Sequence, residues 1–189
     1  YMTIRMIQND SIQESMQIYL EQITREIDSD YYDMIGIVNQ MSPNGLIGSV
    51  TESYLSVEDN YDRYFEQKSL REELIKLGYV NTKLLGIAYY DPKEQKELIG
   101  NFNVRVLDPS YQTISKVVVG AENIIQAMHA SYLGIRETPV LSVMRRVSFG
   151  NKRVLDIYAE IEPDMSVSDR LNKEKWPYTY MEMDENGIV

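Results

Sequence analysis

The sequence predicts an α+β fold: a long N-terminal helix, a second helix, and then a five-stranded antiparallel sheet. Two observations carry this. Apolar residues recur every three or four positions between Ile12 and Met41, the period of one helix face. Beyond residue 83 they fall into short runs rich in β-branched and aromatic residues, joined by polar turns such as "PKEQK" at 92–96.

The first helix opens on Ser11-x-x-Glu14, the pattern of a capping box. Ile12, Met16, Leu20, Ile23, Ile27, Tyr31, Met34, Val38 and Met41 then mark one face of about 30 residues, roughly 45 Å long at ~1.5 Å per residue. "SPNG" at 42–45 stops it. A helix this long exceeds what a small domain covers, so it is either a core helix with an overhang or a stalk that pairs with a second copy. The second helix fits 61–77, with Tyr64, Phe65, Leu70, Leu74 and Leu77 apolar and Gly78 as its stop.

"KLLGIAYYD" and "KELIGNFNVRVL" read as the first two strands and "NIIQAMHA" as the third, with a loop at 132–139. "VLSVMRRVSFGNKRVLDIYAEIE", residues 140–162, reads as the fourth and fifth strands around Gly150-Asn151. A short helix at 163–175 leads away, and "YTYMEMDENGIV" begins another strand. The expected division is 1–55 for the long helix and its connection, 56–175 for the domain proper, and 176–189 for the start of a further module.

Composition narrows the function. Of 189 residues, 43% are hydrophobic and 25% charged, ordinary globular values. The net charge of −10 argues against a nucleic-acid or anionic-membrane partner, since both require clustered Lys and Arg. There is no cysteine and one histidine, His129, which excludes a thiol nucleophile, a thiolate zinc site and a two-histidine metal site. No apolar run approaches the ~20 residues needed to span a bilayer. The chain begins at Tyr1 and ends in a strand-like run, so the expectation is a piece cut from a longer protein.

The element order and four stretches resemble the extracellular Cache-type (PAS-like) sensor domains of bacterial receptors. The closest resemblance is to the double-Cache region of membrane sensor histidine kinases from Gram-positive bacteria. The stretches are the leading helix, "LLGIAYYDPKEQKELIG", "AMHASYLGIRETPVLSVMRRVSF" and "KRVLDIYAEIEPDMSVSDRL". On this resemblance Arg145 falls on the family's strand arginine and Glu160 on its strand acid, usually aspartate. The amino-acid-binding branch carries a tyrosine, arginine and tryptophan cluster before the third strand. Here "LDPSYQTISKVVVGAEN" has Tyr111 but neither arginine nor tryptophan, and Trp176 lies beyond the fifth strand, which argues against a simple amino-acid receptor.

The polar residues of 140–162 supply the candidate site. A two-residue turn at Gly150-Asn151 sets Phe149 opposite Lys152, Arg145 opposite Asp156, Val143 opposite Tyr158 and Leu141 opposite Glu160, all on one face. Arg146, Met144, Ser142 and Val140 then share the apolar face with Leu155, Ile157, Ala159 and Ile161. Arg145 and Asp156 are either a cross-strand pair on a wet face, worth ~0.2–1 kcal/mol, or part of a pocket under the loops. In the pocket reading Arg145 grips a carboxylate or hydroxyls, Asp156 and Glu160 accept hydrogen bonds, and Tyr158 with Tyr90 stacks on the ligand. His129 and Tyr132 stand at the loop mouth; a lone histidine is more often a structural hydrogen-bonder than a ligand contact, a gap that this position narrows. Register is the sensitive step, because a slip of one residue exchanges Arg145 for Arg146.

No Gly-x-Ser-x-Gly elbow or P-loop lysine is present, so no catalytic residue is assigned and no cofactor or metal is expected. The resemblance implies an extracellular ligand-sensing domain whose parent is anchored in the membrane by segments outside this chain and ends in a histidine kinase. The expected partners are a small polar ligand (sugar, organic acid or peptide) and a second copy through the N-terminal helix. A cyclase or DNA-binding output, or a ligand-free structural or dimerisation domain, remains as the alternative.

Overall fold

The computed structural model describes residues 2–94, 96–100, 123–133, 140–150 and 152–162. Helix α1 spans Met2–Met41. It starts well before Ser11, because residues 2–10 contain neither proline nor glycine to stop it, and the Ser11-x-x-Glu14 pattern is interior rather than a cap. Its second half is buried through Met34, Ile37, Val38 and Met41, while Ile12 (51% exposed) and Leu20 (48%) on the first half are open. The overhang expected from its length is therefore present.

Residues expected only as a connection form α2, Leu46–Ser56. The chain reverses tightly between α1 and α2, with Gly45 N donating to Ser42 O at 2.7 Å. Gly48 packs so closely on that turn that a β-carbon there would lie 1.8 Å from Ser42 O. Helix α3 spans Asn60–Val80 and is capped by Asp59, whose carboxylate accepts from the amides of Tyr61 (2.7 Å) and Asp62 (3.3 Å). It passes through Gly78 and ends at Asn81, whose side chain donates to Leu77 O at 2.8 Å. Leu70, Leu74 and Leu77 form its buried stripe; Tyr64 and Phe65, expected on that stripe, are exposed.

Five strands follow: β1 (Leu84–Asp91), β2 (Lys96–Gly100), β3 (Ile124–His129), β4 (Val140–Ser148) and β5 (Val154–Ile161). All neighbours are antiparallel, in the order β2-β1-β5-β4-β3. The fold is α+β and PAS-like, with the long helix and five-stranded sheet that the sequence predicts. The expected continuation of β2 past Gly100, the loop at 134–139, the helix at 163–175 and the strand at 178–189 lie outside the described residues.

The β4–β5 register differs from expectation by one residue. Lys152 adopts a left-handed conformation (φ 60°), its amide donates to Phe149 O at 2.8 Å, and Phe149 N donates to Arg153 O at 3.0 Å. The connection is thus one residue longer than a two-residue turn, a three-residue hairpin loop closed by a left-handed residue. Consequently Arg146, not Arg145, faces Asp156, while Arg145 faces Ile157, Met144 faces Tyr158 and Ser142 faces Glu160. Every side chain of β4 exchanges faces relative to β5.

The exchange sorts the sheet cleanly. One face carries Ile87, Tyr89, Leu141, Val143, Leu155, Ile157, Ala159 and Ile161, packed with Phe149 against the apolar stripes of α1, α2 and α3. Each such aliphatic side chain contributes roughly 1.5–3 kcal/mol of burial. The Tyr89 hydroxyl donates to Met41 O, and Lys83 meets buried Asp30 at 2.6 Å, so the start of the sheet is tied to α1 twice.

Candidate functional site

The opposite face of the sheet is where polar side chains gather. Asp156 is fully buried and receives Arg146 through both ends of the guanidinium fork, Nε to Oδ1 at 2.6 Å and Nη2 to Oδ2 at 2.9 Å. On its other side β5 pairs with β1, which places Tyr90 beside Asp156 and Ala88 beside Tyr158. Tyr89 and Tyr90 do point opposite ways, and Tyr90 joins Leu133, Met144 and Tyr158 in a second small apolar cluster on this face. Burial raises the Tyr90 hydroxyl's pKa, and the carboxylates of Asp156 and Asp91 add to the effect.

Glu160 is fully buried too, and protein donors occupy it. Oε1 accepts from Tyr132 N (2.7 Å), Leu133 N (3.2 Å) and the Tyr158 hydroxyl (2.7 Å), and Oε2 from the Ser131 hydroxyl (2.6 Å). A carboxylate so engaged pins the 130–133 turn onto the sheet. Burial pushes the Tyr158 hydroxyl well above its ordinary pKa, with the Glu160 charge beside it raising it further.

The turn brings His129 and Tyr132 together as stacked rings, 4.4 Å apart and 24° from parallel. His129 Nδ1 donates to Ala130 O at 2.6 Å, which leaves Nε2 of the neutral ring to accept from the Ser142 hydroxyl at 2.6 Å. Burial lowers the His129 pKa, a shift the Ala130 carbonyl and the Glu160 charge oppose without reversing. Gln126 donates to the Tyr132 hydroxyl at 2.8 Å, and its Oε1 is buried with no hydrogen-bond partner among the described residues.

Six of the seven expected residues thus meet on one side of the sheet: Tyr90, His129, Tyr132, Asp156, Tyr158 and Glu160. Arg145 does not. It emerges on the helix side, where Nε donates to Asn123 Oδ1 (2.8 Å) and Nη1 to Asn39 Oδ1 (2.8 Å) and Ser42 Oγ (3.1 Å). Helix α1 has no basic residue in its last turn, and Arg145 brings a cation to that end from β4. The expectation that Arg145 and Asp156 share a face is overturned by the longer hairpin loop. Arg146 takes the place beside Asp156. Sequence reasoning also missed Ser142 and Gln126; Gln126 had a signal, as the polar residue within the apolar run "NIIQAMH".

Among the described residues no group of His, Asp and Glu side chains is arranged to hold a metal ion, and no helix is long and apolar enough to cross a membrane. No family model matches the sequence, and no curated protein matches it. Among solved structures, the chain is similar to the crystal structure of the extracellular domain of a candidate histidine kinase, rpHK1S-Z16, at 19% identity and a TM-score of 0.41. The alignment covers 55% of this chain and 43% of that one, so it spans less than half the length of that structure.

Proposed function

We propose that this chain is the extracellular ligand-sensing part of a bacterial two-component sensor histidine kinase of the Cache type. Its site for a small polar ligand is the sheet face carrying Arg146, Asp156, Tyr90, Tyr132, Tyr158, His129 and Gln126. One observation carries the reading: the face turned away from the helices holds a buried polar set where apolar packing would be more stabilising. Charges fixed on a rigid sheet beside a pinned turn suit recognition. Glu160 then acts as a positioning residue, since its oxygens are taken by the turn. Among the described residues the open acceptor is Gln126 Oε1, and the stackable surface is the Tyr132–His129 pair.

In this reading 1–55 is the leading helix and its connection, 56–175 the sensor domain, and 176–189 the start of a membrane-proximal module. Phosphoryl transfer belongs to an output module elsewhere in the parent, which other segments anchor in the membrane. A ligand signals by binding one arrangement of the domain better than another. The ties from Arg145 to Asn39 and Ser42, and from Tyr89 to Met41, couple the sheet to the end of α1.

A thermal-shift screen with sugars, organic acids and short peptides tests this. A ligand at about 100 times its Kd adds about 2.7 kcal/mol to stability, a clear rise in Tm. The rise is expected to shrink strongly in Gln126→Leu and Tyr132→Ala. If no compound raises Tm, or if both variants respond as the parent does, the ligand-site reading fails and a ligand-free structural domain takes its place.

A further inference from the structure

Arg145 stands out among the basic residues that reach into the fold. Arg146, Arg153 and Lys83 each meet a carboxylate, at 2.6, 3.0 and 2.6 Å. Arg145 is half-buried, but its three acceptors, Asn123, Asn39 and Ser42, are all neutral, and its Nη2 donates to nothing among the described residues. The C-terminal end of α1 offsets about half a unit charge. A guanidinium withdrawn from water without an anion is costly, and a bound anion recovers that cost.

Arg145 also lines a groove of about 490 Å³, within the ~300–1,000 Å³ typical of small-molecule sites. Pro43, Val147 and Val154 give it apolar walls, Ser148 supplies a hydroxyl, and Ser42 lies beside Arg145. Arg146 borders it as well, so the groove reaches around β4, but that guanidinium is committed to Asp156. We propose that this groove is a second ligand site, centred on Arg145 and touching the polar face only through Arg146, Ser148 and Val154, and that it takes a small monocarboxylate with a short hydrocarbon body. The carboxylate docks on Arg145 Nη2 and the Ser148 hydroxyl, since the Ser42 hydroxyl already donates to Val38 O at 2.8 Å, and the hydrocarbon lies on the proline and valine walls. The chain's net charge of −10 selects a monoanion over phosphate or a polycarboxylate. The apolar walls select against a fully polar anion.

The test is titration of the 189-residue chain with hexanoate, its neutral isostere hexanamide, and inorganic phosphate, read by calorimetry and by Tm. Hexanoate is expected to bind saturably, at least tenfold tighter than either of the others. Arg145→Gln should abolish that preference. Because this change also cuts the ties to Asn39, Ser42 and Asn123, Val154→Asp is the second variant. It sets a negative charge on a wall residue that is 40% exposed and leaves those ties intact. At least a tenfold loss of hexanoate affinity is expected there. Gln126→Leu, on the polar face, should change hexanoate affinity less than twofold. Equal binding of hexanoate and hexanamide by the parent, unchanged affinity in Val154→Asp, or loss of hexanoate binding in Gln126→Leu each overturns the proposal.

Discussion

Glu160 has no exposed surface, and both its carboxylate oxygens accept from one turn and, at Oε1, one tyrosine as well. Glu160→Gln keeps the shape but turns an amide N–H₂ toward groups that donate. A loss of about 1–3 kcal/mol is expected, read as a lower urea midpoint at constant m; an unchanged midpoint would mean the turn is held by other contacts. His129 gives a pH signature instead. Burial depresses its folded pKa below the 6.5 of an exposed ring, so the unfolded chain takes up the proton first. Its contribution is complete above about pH 6.5 and is lost as the pH falls toward the folded value. The groups facing the ring are the Ala130 carbonyl, Ser142 on β4, Glu160 on β5, and Tyr132 on the turn. Stability measured between pH 7.5 and 5 should fall less steeply in His129→Gln than in the parent. Parallel curves would show that His129 is not the group responsible.

At the scale of elements, the joint between α1 and α2 is packed backbone against backbone. A β-carbon at Gly48 would meet Ser42 O at 1.8 Å, and one at Gly45 would meet the carbonyls of Asn39 and Gln40 at 2.3 Å. These are backbone atoms, which cannot swing aside as a side chain does. Gly48→Ala is therefore expected to cost about 1–3 kcal/mol or more through displacement of α2, despite alanine's better helix propensity. A denaturation midpoint at or above the parent's would show that the joint yields easily. The sequence showed the turn through "SPNG" but not the helix after it, because α2 is short and its glycine reads as a loop residue. The β4–β5 hairpin taught the complementary lesson: Gly150-Asn151 looks like a two-residue turn, yet the left-handed Lys152 lengthens it by one.

For the whole molecule the decisive feature is α1, 40 residues long, whose core residues among those described all lie in its second half. Ile12 and Leu20, eight positions apart on one stripe, stand exposed on the first half. We propose that they meet a second copy of the helix. Sedimentation equilibrium should show concentration-dependent dimers that Ile12→Glu with Leu20→Glu converts to monomers. A strict monomer at every concentration tested would end the pairing.

Periodicity alone determined the α+β class, the long helix, the strands and the existence of the 140–161 hairpin, because burial of one face imposes a repeat that composition records. It also placed Asp156, Tyr158 and Glu160 on one side, since residues two apart in a strand share a face. Which arginine joined them was decided only by the fold. Arg145 and Arg146 are chemically identical neighbours, and a single backbone conformation at Lys152 sets β4 against β5 and sends one to the polar face and the other to the end of α1. Glu160's role likewise became visible only in three dimensions. Its partners on the 130–133 turn lie almost thirty residues away, at distances of 27 to 29 positions in the chain, and no local pattern reports a contact that the closing of the sheet creates.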